Sequence, residues 1–125
     1  AVAAGEALLG DGAAHGRWCA RVQGWVAREG AALAQGLAAL PALEPLPSAT
    51  NFLLVRGRGP GGEAMSLEPL RLALEERHRI LLRDCRAFAG LDGSWLRIAL
   101  ADGRGRRRLL GALEQEGAGL NPPAR

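Results

Sequence analysis

Two arginines occupy short, mostly apolar runs of strand character: Arg83 in Ile80-Leu81-Leu82-Arg83-Asp84-Cys85, and Arg97 in Trp95-Leu96-Arg97-Ile98-Ala99. If those runs pair as a hairpin, both side chains face away from the Leu96, Ile98 and Leu100 side, on neighbouring strands. Two planar guanidinium forks converging there would hold a carboxylate or phosphate with bidentate geometry. The competing reading is a solvated or acid-paired arginine at each position, and Asp84 is as good a structural partner for Arg83 as a functional group.

The cations that could do chemistry are all of one type. The chain has sixteen arginines and no lysine. It therefore has no lysine amine to condense with a carbonyl, act as a base or serve a phosphate loop. Alanine, glycine, arginine and proline make up about half of the residues and Tyr is missing, a skew that suits a GC-rich genome and accounts for most surface arginines.

The other candidates are weaker. Gly57-Arg58-Gly59-Pro60-Gly61-Gly62 matches a G-x-G-x-x-G string between a strand and a helix, but a dinucleotide site needs a parallel βαβ unit, so a flexible loop is expected. His15 and Cys19 are four apart on a helix, while His78 and Cys85 lie on different elements, and no cluster has metal-ligand spacing. His78 is read as a helix C-cap. Cys19 and Cys85 are expected as free thiols in a reducing compartment, hence the cytoplasm. The net charge of +3 is too small to imply nucleic-acid binding, and the Gly103 to Arg108 run, GRGRRR, reads as the solvated first turn of a helix.

The elements that must position these groups follow from periodicity. A short helix, Val2 to Leu9, precedes a long one from about His15 to Leu40, whose stripe is Trp18, Val22, Val26, Leu33, Leu37 and Leu40. At 1.5 Å per residue that helix is ~38 Å long, more than a domain of this size needs. Prolines 41, 45 and 47 give an extended connector. Strands are expected at Asn51–Arg56, Ile80–Cys85 and Trp95–Ala101, a helix after Ser66 and a last helix at about Gly105–Glu116. The fold class is α+β: a long N-terminal linking helix, then a β-α-β-β-α domain with a mostly antiparallel three-stranded sheet and helices on one face. No run reaches the ~20 apolar residues of a membrane span.

The strand motifs occur in a familiar order. Ser48-Ala49-Thr50-Asn51-Phe52-Leu53-Leu54-Val55-Arg56, then Arg83-Asp84-Cys85 with Phe88, Gly90 and Leu91, then Leu96-Arg97-Ile98, resemble the C-terminal small domain of fold-type I (aspartate-aminotransferase-like) pyridoxal-phosphate enzymes. The nearest branches are threonine-phosphate decarboxylase, of cobalamin biosynthesis, and histidinol-phosphate aminotransferase. The resemblance implies residues 1–40 as an interdomain helical segment, 41–118 as the small domain and 119–125 as a flexible tail. It implies that Arg83 and Arg97 bind the carboxylate or phosphate of a small amino-acid phosphate or amino-alcohol phosphate. Pyridoxal 5'-phosphate would be bound mainly by an upstream large domain absent from this sequence, in a homodimer, with no nucleic acid or membrane as partner. The chain alone is then expected to be inactive.

The sequence departs from the family pattern at Arg86-Ala87, which adds a cation near the proposed site, and at His78-Arg79. It departs also at Asp102-Gly103-Arg104-Gly105, where the usual helix cap is not expected. The alternative is a freestanding Arg-rich α+β module for nucleic acid or an acidic partner. It lacks exposed stacking aromatics, since Trp95 alone is expected beside Arg97 on the non-core face.

Overall fold

The computed structural model describes the backbone of residues 1–120 and the side chains of residues 1–117. Its elements are α1 (Val2–Leu9), α2 (Gly12–Ala38), β1 (Leu43–Pro45), β2 (Phe52–Gly57), α3 (Glu68–His78), β3 (Arg83–Asp84), β4 (Trp95–Ala99) and α4 (Gly103–Leu120). The α+β class holds, but the sheet has four strands rather than three, in the order β1-β2-β4-β3, with every pairing antiparallel.

The extra strand is β1, expected only as an extended connector. Leu43 pairs with Gly57 and Pro45 with Val55, which puts Pro45 on an edge strand, where a missing ladder donor is tolerated. The Ile80 to Cys85 run contributes only Arg83 and Asp84 to the ladder. The strand expected to reach Ala101 ends at Ala99, beyond which Leu100 N–H still donates to the Asn51 carbonyl.

Alternation in β2 and β4 divides the sheet into two faces. Leu53, Val55, Leu96 and Ile98 are buried under the helices, against Leu33 and Leu37 of α2 and Leu109 and Leu113 of α4. Leu70 and Leu74 bring α3 onto the same core. Phe52, Leu54, Arg56, Trp95 and Arg97 look the other way and are only partly covered. The sheet therefore has a packed face and an open one.

Helix ends differ from expectation in ways that local chemistry explains. Asp11 caps α2 by accepting the Ala14 N–H, so that helix starts three residues before His15. Asp102 Oδ1 accepts from Gly105 N–H at 2.8 Å, which supplies the cap that the Asp-Gly-Arg-Gly start was expected to lack. The last helix runs on to Leu120, past its expected end at Glu116, while residues 121–125 of the expected tail lie outside the described residues. Arg79, not His78, takes the left-handed position after α3, with φ 54°. His78 instead meets Glu116 of α4 at 2.8 Å, where Arg77 also pairs.

The expected solvated arginines of α4 are partly engaged. Arg106 pairs with Glu29 of α2, and Arg108 donates to the His78 carbonyl at 2.6 Å. These contacts fasten α4 to both neighbouring helices.

Candidate functional site

The candidate site lies on the open face where β3 meets β4. Arg83 stands directly opposite Arg97 in the antiparallel ladder, as the hairpin expectation required. Like charges opposite each other in a ladder repel. Among the described residues, no carboxylate lies within 4.0 Å of either guanidinium. The acid-paired reading of these two arginines therefore fails.

Asp84 shows why. Neighbouring strand residues point to opposite faces, and its carboxylate turns to Arg86, accepting from the Arg86 backbone N–H at 2.9 Å and from Nε at 2.7 Å. These bonds hold the Asp84 carboxyl at about 2, below its ordinary 3.8. Asp84 is thus the partner of Arg86, not of Arg83. Arg86 also reaches Glu68 of α3, which in turn holds Arg71 at 2.7 Å. The Arg71 hydrogen bond keeps the Glu68 carboxyl below its usual range. The added cation Arg86 is therefore committed to two acids rather than left free beside Arg83 and Arg97.

What does touch the pair is aromatic. The Arg97 Cζ lies 4.8 Å from the Phe52 ring centroid and 5.9 Å from that of Phe88. The Arg83 Cζ lies 5.8 Å from Phe88. Trp95 was not the only aromatic on this face, and Phe52 and Phe88 were given no role from sequence. A usable signal existed for Phe52, because period-two alternation puts it with Leu54 and Arg56 on the open side. None existed for Phe88, which reaches the face from a turn.

The other arginine on the face differs. Arg56 is opposite Glu44 in the β1 ladder and lies over Trp95 at 6.0 Å, so its local field already includes an acid. Beneath the site, Cys85 is buried, and burial pushes its thiol up. Both cysteines are free. His15 Nε2 and Cys19 Sγ are 3.4 Å apart, but no group of three metal ligands forms among the described residues.

The glycine-rich run is also placed. Gly59 N–H donates to the Glu63 carbonyl and Arg58 bridges to Ala64, so the loop closes as a hydrogen-bonded turn. Its strand, β2, pairs only antiparallel, which excludes a dinucleotide fold there.

No family model matches the chain. The chain is 34% identical over 122 residues to threonine-phosphate decarboxylase of Salmonella typhimurium, an alignment covering 98% of this chain and 30% of that one. It superimposes on the L-threonine-O-3-phosphate decarboxylase of Porphyromonas gingivalis with a TM-score of 0.62 and 28% identity, over 70% of this chain and 26% of that one. The histidinol-phosphate aminotransferase of Clostridium acetobutylicum gives a TM-score of 0.66 and 26% identity, over 75% and 27%. The chain thus spans less than a third of the length of each of these three proteins.

Proposed function

Since the chain belongs to the fold-type I family of pyridoxal-phosphate-dependent enzymes, we propose that it is the substrate-binding small domain of a decarboxylase or aminotransferase acting on a small anionic amino compound. The single observation that carries this reading is the Arg83–Arg97 pair: two cations directly opposite on the open face, with no carboxylate within 4.0 Å among the described residues. An exogenous carboxylate or phosphate removes their repulsion and meets two bidentate donors at once. The substrate is a small amino-acid phosphate or amino-alcohol phosphate, as in the threonine-phosphate decarboxylase and histidinol-phosphate aminotransferase branches. A threonine-phosphate-type substrate would place the enzyme in cobalamin biosynthesis.

In this family pyridoxal phosphate serves as the electron sink. The residues of this chain do not fit the cofactor as its holder, because among sixteen basic side chains none is the lysine that its aldehyde requires. The cofactor is assigned to an upstream large domain, and residues 1–40 to the helical link with it. The complete enzyme is a cytoplasmic homodimer, and this chain alone is inactive. What its own residues do is bind and orient an anion.

The nucleic-acid alternative gains from the aromatics on the open face, since stacking platforms are what such a surface needs. Phe52, Phe88 and Trp95 each have an arginine over the ring, however, which competes with a base for that ring. That favours the clamp.

In the complete enzyme, Arg97→Ala should lower kcat/KM by about 30-fold, the scale expected on losing a charge-assisted hydrogen bond. Wild-type kcat/KM in that variant would overturn the assignment.

A further inference from the structure

Phe88 touches both members of the arginine pair and belongs to neither strand. Its ring centroid is 5.8 Å from the Arg83 Cζ and 5.9 Å from the Arg97 Cζ. The ring is 40% exposed and stands outside the hydrophobic core. Core packing does not account for it.

The turn that carries Phe88 is well anchored. Buried Cys85 starts it, Phe88 N–H donates to the Cys85 carbonyl at 2.9 Å, and Leu91 N–H donates to the Phe88 carbonyl at 3.1 Å. The backbone that carries the ring is thus fixed by hydrogen bonds immediately after β3. We infer that Phe88 is a positioning residue of the anion site, holding the Arg83 and Arg97 guanidinium groups in place for a shared phosphate or carboxylate. This role rests on the reading of the two arginines as a clamp.

The physical argument has two parts. First, two guanidinium groups opposite each other in a ladder repel and swing apart unless something attracts both. The face of an aromatic ring carries partial negative charge and attracts each cation. Second, a ring over a guanidinium contacts its face, whereas the N–H donors lie in its plane. A carboxylate partner would use those donors up. Phe88 steadies the forks and leaves them available. Phe52 touches only Arg97 and cannot serve both.

The test uses the full 125-residue chain and inorganic phosphate at constant ionic strength, followed through the Nε–Hε resonances of Arg83 and Arg97. The wild-type chain should show saturable shifts in both. Phe88→Leu keeps the bulk but removes the π face, and should raise the apparent Kd about tenfold, the scale of two cation–π contacts. It should also remove the ring-current shift of the Arg83 Hε proton and change that of Arg97 less, because Phe52 still lies against Arg97, while leaving the thermal midpoint near the wild-type value. Phe88→Tyr should restore binding to within about twofold, since the phenol keeps the ring face. Unchanged phosphate binding in Phe88→Leu would overturn this role and leave the clamp standing, as would a failure of Phe88→Tyr to recover binding. Arginine signals in the wild-type chain that do not respond to phosphate would overturn the clamp, and with it the role of Phe88.

Discussion

Asp84 is the residue on which the electrostatics of this edge turn, because it pairs with Arg86 and leaves Arg83 and Arg97 without a carboxylate partner among the described residues. Its carboxyl is held at about 2 by Arg86, below its ordinary 3.8. A lowered folded value means that the contribution to stability is present above pH 3.8 and is lost as pH falls through about 2. Asp84→Asn should therefore flatten the acid limb of a denaturation profile in that window, with Glu68, lowered by Arg71, accounting for part of what remains. An acid limb identical to wild type would show that the Asp84–Arg86 pair is not maintained in solution. Arg86 was read from sequence as a cation added to the site because adjacency says nothing about direction. The alternation of strand side chains, Arg83 to one face and Asp84 to the other, decides it.

At the scale of elements, two glycines that look alike in sequence have opposite roles. A Cβ on Gly57, the buried last residue of β2, would collide with the Met65 carbonyl oxygen and the Leu67 side chain. Gly57→Ala should destabilise the chain by about 1–3 kcal/mol, the ordinary cost of overpacking. Gly16, on the exposed first half of α2, has open space around it. Gly16→Ala should raise helicity, with a gain of up to about 1 kcal/mol. Chemical denaturation and circular dichroism of the two variants would check both signs. An element with a strong period, such as β4, was legible from sequence to within two residues, and α1 has its expected bounds without burying any residue. The run from Ile80 was not, because an apolar stretch reads as strand whether or not a partner is there, and only Arg83 and Asp84 find one. For β1 the reverse is true: three prolines in seven residues suppress every strand signal, yet an edge position accommodates Pro45.

At the scale of the whole molecule, the chain is a packed domain with a helical arm. In α2 only Leu33 and Leu37 are buried, while Trp18 is 59% exposed, as are Leu8 and Leu9 of α1 at 72% and 67%. The stripe that runs the length of α2 has a core to meet only in its second half. Amides of residues 12–24 should therefore exchange with deuterium much faster than those of residues 33–38, because local opening of the arm breaks few buried contacts. Equal protection along α2 would show that the arm packs against something in solution. No helix among the described residues is long and apolar enough to cross a membrane.

The sequence by itself determined the α+β class, the two faces of β4, the identity of the two arginines and the lack of any lysine, whereas β2, read as a largely buried strand, is covered on one face only. Those follow from composition and from a period of two, which are local properties. Tertiary structure decided that Arg83 stands opposite Arg97, that Asp84 serves Arg86, that Phe88 reaches both forks from its turn and that a fourth strand closes the other edge. Each of those depends on ladder register and on side-chain direction between segments distant in the chain, and no local pattern encodes either.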